Sequence, residues 1–307
     1  MSAGDTPAVW ELPSPGDLAL IGLAVAAVST SAPIIAATAA PALAIAFWRN
    51  AMATGVLLPV TLVRNRAELV GLSPRERRLA VAAGTLLALH FATWVPSLGY
   101  TTVASATALV STQPVWTALL ARRAGHAVPG RVWIGIAVAL AGVVLVTGVD
   151  VTLSRRAFLG DVLALAGGAF GAAYIVAGNR VRQSVSTTTY TTVCYGVTAV
   201  ALLAACLLGG ASLAGYGAGT WAKLAALTVG AQLLGHSVFN RVLRTTSAAV
   251  VSLSILFEVP GATLIAAAWL HQYPPAAAAP GLALLIGGVA TVVSARDRSA
   301  APAVPVE

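Results

Sequence analysis

The stretch GTLLALHFATW (residues 84–94) has a counterpart in GAQLLGHSVFN (residues 230–240). Gly84 and Gly230 lie 146 positions apart (230 − 84), and so do His90 and His236. The same offset links Pro114 to Pro260, Gly135 to Gly281 and Gly142 to Gly288. One constant spacing across several residue types means that the second half of the chain repeats the first. The repeated segments are strongly apolar, which makes the repeat a membrane signal.

Composition agrees. Hydrophobic residues make up 58% of the 307 and charged residues 9%, with a mean hydropathy of +0.86. A soluble domain carries about a quarter of its residues as charges, so this chain belongs in lipid. Ten apolar runs have the roughly twenty-residue length that crosses a hydrocarbon core. They fall at about 18–40, 42–63, 79–98, 102–121, 132–149, 159–179, 188–208, 220–240, 246–269 and 279–295. None alternates with period two as barrel strands do. The expected fold class is therefore an all-α integral membrane bundle of ten transmembrane helices.

Five spans per half is an odd number, so the second copy must enter the membrane from the opposite side. The expectation is two inverted-topology five-helix repeats, 1–150 and 151–298, followed by a disordered Ala/Pro-rich tail, 299–307. The net charge of +8 follows this topology. Arg64, Arg66, Arg75, Arg77, Arg78, Arg122, Arg123, Arg131, Arg180, Arg182, Arg241, Arg244, Arg296 and Arg298 fall on one side, fourteen in all. Arg155, Arg156 and Lys223 fall on the other, and Arg49 lies inside a span. By the positive-inside rule both termini are expected in the cytoplasm. The basic charge points to anionic lipid headgroups, with no nucleic-acid partner.

The first seventeen residues hold Asp5, Glu11 and Asp17 and no basic side chain, unlike a cleaved signal peptide. Cys194 and Cys206, twelve positions apart on one helix, are too distant to pair. No phosphate-binding loop of the GxxxxGK[ST] type is present, so direct ATP drive is not expected. No cofactor or metal is expected either, because two histidines without carboxylate or cysteine neighbours make a poor metal site. An intramembrane enzyme would need a positioned nucleophile or an aspartate dyad, and Asp17 and Asp161 open helices on opposite sides.

The order of elements resembles the EamA-type ten-helix branch of the drug/metabolite transporter superfamily. The resemblance rests on Gly16-Asp17 and Gly160-Asp161 opening the halves, Thr112-Gln-Pro-Val-Trp116, Phe257-Glu-Val-Pro-Gly261 and a glycine-punctuated last span. It covers about residues 16 to 296. It implies a bacterial inner-membrane carrier, usually an exporter of amino acids, other metabolites or drugs. One departure stands out: the Gly-Glu pair common after the fourth and ninth spans reads Gly125-His126 and His271-Gln272 here.

Ionisable groups inside a membrane are costly and mark function. Arg49 suits a substrate carboxylate or phosphate, or a structural pair with Glu258. Glu258 suits a substrate amine or a coupling proton. Pro260 and Pro114 each remove a backbone donor, so helix kinks are expected there, beside Glu258 and Gln113. Matched kinks in two halves are a pointer to a midplane site. Gln232, His236 and Asn240 form one stripe at i, i+4, i+8, as His90, Trp94 and Ser97 do at i, i+4, i+7. Each stripe is read either as cavity wall, the imidazoles relaying protons, or as helix-to-helix adhesive. Trp48, Trp94, Trp116, Tyr174, Tyr190 and Tyr195 fall within spans, where they line a pocket or simply pack.

The expected substrate-binding set is thus Arg49, His90, Trp94, Gln113, Trp116, Tyr174, Tyr195, Gln232, His236, Asn240 and Glu258. The expected function is secondary active transport of a small metabolite, an amino acid or related amine or carboxylate compound, by alternating access, with proton entry as a candidate drive. A drug or multidrug exporter, a passive channel and a lipid flippase are the alternatives on the same fold. The charge-free fifth and tenth spans are read as packing within the chain or as a homodimer face, leaving monomer and homodimer both open.

Overall fold

Serine and threonine set where six of the helices begin. In the computed structural model, which describes residues 13–151, 154–273 and 276–293, the side chains of Ser14, Ser73, Thr102, Ser154, Ser186 and Ser247 each accept a hydrogen bond from the backbone N–H three residues on. Each satisfies a donor the helix itself cannot, worth about 1 kcal/mol. Ser73 and Glu76 complete a reciprocal capping box. Arg296, Arg298, the 299–307 tail, Asp5 and Glu11 lie outside the described residues.

All described regular structure is helical. In the first half it comprises α1 (Pro15–Ser29), α2 (Ser31–Ala36), α3 (Ala42–Arg64), α4 (Arg66–Gly71), α5 (Pro74–Ser97), α6 (Val103–Val110), α7 (Gln113–Arg123) and α8 (Gly130–Val151). The second half begins with α9 (Arg155–Arg182), α10 (Thr187–Leu208) and α11 (Ala218–Leu227), which runs on as a π-helical segment, Thr228–His236. After it come α12 (Ser237–Val242), α13 (Ala248–Ile255), α14 (Glu258–Leu270), a 3₁₀ turn (Ala276–Ala278) and α15 (Ala279–Val293). Six helical units are long and apolar enough to cross a membrane: Pro15–Ala36, Ala42–Arg64, Pro74–Ser97, Arg155–Arg182, Thr187–Leu208 and Ala248–Leu270. Shorter apolar helices lie at Gly130–Leu145 and Ala279–Gly288. The chain is a multi-pass, all-helical membrane protein.

Packing treats the two halves alike. α5 lies on α9, and its counterpart, the π segment, lies on α1; α3 pairs with α10 and α8 with α15. The α8–α15 crossing shows why glycine recurs at one offset. A Cβ added at Gly142 would lie 2.5 Å from the Gly281 carbonyl oxygen, and one at Gly288 would lie 2.6 Å from that of Gly135. Backbones meet backbones there, as small residues allow in lipid. These four glycines therefore pack the chain against itself.

Two helices break at matching places. α6 stops at Val110 and α7 restarts at Gln113; α13 stops at Ile255 and α14 restarts at Glu258. Pro114 and Pro260 sit in the first turn after each break, where a missing N–H costs nothing. Gln113 and Glu258 are thus the first residues of the restarted helices, at the centre of the bundle.

Candidate functional site

The two breaks face a narrow central cavity of about 30 Å³. Of the residues expected in the site, His90, Trp94, Gln113, Tyr174, His236, Asn240 and Glu258 line it. Arg49, Trp116, Tyr195 and Gln232 do not. Ser31, Val28, Phe239, Leu243, Val251 and Ile255 join the wall without having been singled out from sequence.

Arg49 sits behind that wall, fully buried. Its Nε donates to Gln232 Oε1 at 2.8 Å and its Nη1 to Ser31 Oγ at 3.2 Å, while the guanidinium lies 4.3 Å over the Phe91 ring. Gln232 in turn donates to Asn50 Oδ1 at 3.1 Å. Among the described residues Arg49 makes no close ion pair with Glu258; its Nη2 has no partner. In place of the alternative Arg49–Glu258 pair, a neutral clamp holds the cation through amide and hydroxyl oxygens.

The π segment explains why Gln232 leaves the cavity. The i, i+4, i+8 stripe assumes α-helical spacing, but a π turn takes in an extra residue and rotates the side chains beyond it. Gln232 therefore faces Arg49 and Asn50 on α3, whereas His236 and Asn240 face the cavity. The Gln232 carbonyl accepts from the Ser237 hydroxyl at 3.2 Å, helping to hold the wide turn.

Asn240 and Tyr174 are linked at 2.9 Å and 2.7 Å, and Asn240 also donates to the Tyr195 hydroxyl at 3.4 Å. Tyr195 supports this pair from outside the cavity. Trp116 bonds Thr112 across the α6–α7 break at 3.3 Å. Trp48, within a span by sequence, instead donates to the Leu213 carbonyl at 2.9 Å and meets Trp221 edge-on, as an end-of-helix aromatic does.

The two histidines differ. His90 Nδ1 lies 2.8 Å from the Gly167 carbonyl, which can only accept, so Nδ1 carries a proton. Its ring stacks on Trp94 at 5.7 Å. His236 has ring neighbours in His90, Phe91 and Tyr174 but no side-chain hydrogen bond among the described residues. Glu258 is 6% exposed, lines the cavity and has no carboxylate hydrogen bond among the described residues. The Trp94 indole N–H, also in the wall, is buried without a partner. The cavity thus presents one acid, one unengaged imidazole and one free donor beside aromatic faces. Among the described residues no cluster of metal-binding side chains occurs.

A second cavity of about 260 Å³ lies toward the arginine-rich side, lined by Thr117, His126, Asn179, Arg180, Gln183 and Ser247. The turn after α12 runs between the two cavities. Asn179 ties it to α9, donating to the Leu243 carbonyl at 2.9 Å and that of Thr246 at 3.4 Å.

The EamA-like transporter family matches residues 14–148 and again 158–294. This chain belongs to that family. Two matches along one chain are the family's repeated unit, met twice, within the drug/metabolite transporter superfamily. Members are transporters, which makes a small-molecule substrate and membrane lipids the partners of this EamA-like protein. No curated protein matches the sequence. One of 28 matching solved chains, described as "Crystal structure of protein", is 19% identical with a TM-score of 0.69, covering 90% of this chain and 96% of that one. At that identity it speaks for the fold alone.

The EamA-like chain also accounts for its unusual loop residues. Gly125 and His271, matched at the 146 offset, both adopt left-handed backbone (φ 86° and 55°) and end α7 and α14. Gln272 accepts a hydrogen bond from the Val103 N–H at 3.4 Å, beside the Thr102 cap at the start of α6.

Sequence reasoning missed Ser31 although Pro33, two residues on in the first turn of α2, marks the α1–α2 break at Thr30. The π segment has no such marker.

Proposed function

We propose that this EamA-like transporter is a secondary active carrier that moves a small metabolite, an amino acid or related amine or carboxylate compound, by alternating access, in the direction of export. It crosses the bacterial inner membrane ten times, as two inverted five-helix repeats (1–150 and 151–298) with both termini cytoplasmic. The symmetric packing of the halves supports the inversion. The observation that carries the reading is the central cavity between two helices broken at matched positions, with Glu258 unpaired in its wall. Broken helices at equivalent places are how inverted-repeat carriers build a midplane site.

In this reading Glu258 receives the substrate amine or the coupling proton, and His236 relays the proton. Trp94, His90 and Tyr174 offer ring faces to the substrate. Arg49, clamped behind Ser31, sets the field of the site and holds α3 to the π segment. The Leu243–Thr246 turn is the gate between cavity and vestibule. Drug efflux on the same cavity is the second reading, favoured by the aromatic faces.

Reconstituted vesicles test it. Glu258→Gln should lower substrate counterflow more than tenfold while the purified protein keeps its melting temperature. Unchanged counterflow would remove Glu258 from the site. A thermal-shift panel of amino acids, polyamines and cationic drugs separates the two readings by which class stabilises the wild type and not the mutant.

A further inference from the structure

Acids and bases of the loop after α3 are treated differently by the fold. Glu68 accepts from Ser186 and Thr189, and Glu76 from Ser73 and Ser184. Both carboxylates are engaged by serine and threonine, and among the described residues neither pairs with an arginine. Arg77 turns to the Leu72 carbonyl at 3.3 Å. Arg75 and Arg78, neighbours on one face of α5, and Arg180, near the end of α9, are exposed and make no hydrogen bond or ion pair among the described residues. All three border one surface depression of about 570 Å³, with Ser73, Pro74 and Leu79 completing its wall.

Three like charges around one hollow repel one another and leave a strong anion site, suited to the bidentate fork of arginine. The hollow lies where α5 and α9, both apolar enough to span, reach the arginine-rich side. From Arg78 an exposed stripe continues down α5 through Val81, Thr85 and Leu89, apolar but for the threonine, whose hydroxyl donates to the Val81 carbonyl at 3.0 Å. A ligand with an anionic head and a long apolar body fits this arrangement; a free inorganic ion would leave the stripe unused. We propose that Arg75, Arg78 and Arg180 bind the headgroup of an anionic phospholipid, its phosphodiester in the hollow and an acyl chain along Val81 and Leu89. Basic pockets between spanning helices at the membrane surface hold such headgroups. Because Arg180 also borders the vestibule, this lipid would sit beside the substrate path.

The test uses the full chain purified in detergent, with cardiolipin, phosphatidylglycerol, phosphatidylcholine and inorganic phosphate as probes. Binding is read by native mass spectrometry and melting temperature. Wild type is set beside a triple variant, Arg75→Gln with Arg78→Gln and Arg180→Gln. A control of equal charge loss carries Arg64→Gln, Arg123→Gln and Arg131→Gln, exposed arginines outside the hollow. Cardiolipin or phosphatidylglycerol should bind wild type and control at least tenfold more tightly than the triple variant, and phosphatidylcholine should not discriminate. Equal lipid binding by the two triple variants would overturn the site in favour of diffuse charge. Displacement of the lipid by millimolar phosphate would overturn the lipid assignment in favour of a free anion. If the triple variant does not fold, Arg180→Gln alone carries the same comparison.

Discussion

The half that carries His90 and the half that carries His236 each match the same family unit, yet they hold their central polar groups differently. In the first, residues 84–94 are regular α-helix and His90 is tied to the Gly167 carbonyl. In the second, the matching stretch opens into a π segment and His236, in the cavity wall, makes no side-chain hydrogen bond among the described residues. The restarted helices differ likewise: one begins with neutral Gln113, the other with Glu258. Duplication supplies a symmetric frame, and divergence at a few positions concentrates the chargeable, unengaged groups in one half.

The largest expected effect concerns Gln232, whose counterpart at the same offset is Leu86. Gln232→Ala removes the partner of Arg49 Nε and of Asn50 together. A hydrogen bond to a charged group contributes about 1.5–3 kcal/mol, so denaturation in detergent should show a loss of at least that size. A smaller loss than Leu86→Ala would mean that the Arg49 clamp is dispensable.

His90→Ala and His236→Ala should separate in opposite directions. Removing His90 breaks a buried hydrogen bond and a stacked contact, costing about 1 kcal/mol of stability. Removing His236 should leave the melting temperature nearly unchanged and reduce transport severalfold. Equal effects on both readouts would erase the asymmetry.

The matched helix ends offer a sharper contrast. His271 holds left-handed backbone that Gly125 holds without a Cβ. His271→Gly should stabilise by about 0.5–1 kcal/mol and Gly125→Ala should destabilise by a similar amount. A loss of stability in His271→Gly would show that its imidazole contributes more than its backbone costs.

The smallest effect is expected outside the spans, where the halves differ in how a loop is held. For Glu68, partial burial raises the carboxyl pKa, but hydrogen bonds from Ser186, Thr189 and Asn65 outweigh it and hold the group below its usual value. A depressed folded pKa means the clamp stabilises above the ordinary glutamate range and is lost as pH falls through the lowered value. Wild type and Glu68→Gln should therefore differ by a few tenths of a kcal/mol near neutrality, as expected for an exposed contact. The curves should converge below about pH 4. Divergence on acidification would reverse the assignment.

Much of the architecture was legible in one sequence because its causes are local. Apolar length, the constant offset and Gly-Asp openings marked the repeats, and prolines marked the two restarted helices. Seven of the expected site residues line the cavity because polar side chains in lipid turn inward wherever a bundle offers an interior. The misplacements have separate origins. Gln232 left its stripe because a single π turn shifts angular register, and hydrogen bonds from Ser237 and Tyr195 to its carbonyl help hold that turn. Trp48 bonds a loop carbonyl 165 positions away.

By itself the sequence determined the all-helical membrane class and the repeat, which follow from composition and periodicity along the chain, while the family rests on its motifs and their order. Only the tertiary structure decided that Arg49 is clamped by Gln232 and Ser31 while Glu258 stays unpaired, and that Arg75, Arg78 and Arg180 share a hollow. Partner choice among buried polar groups depends on ångström-scale distances between helices far apart in sequence, and no local pattern records those distances.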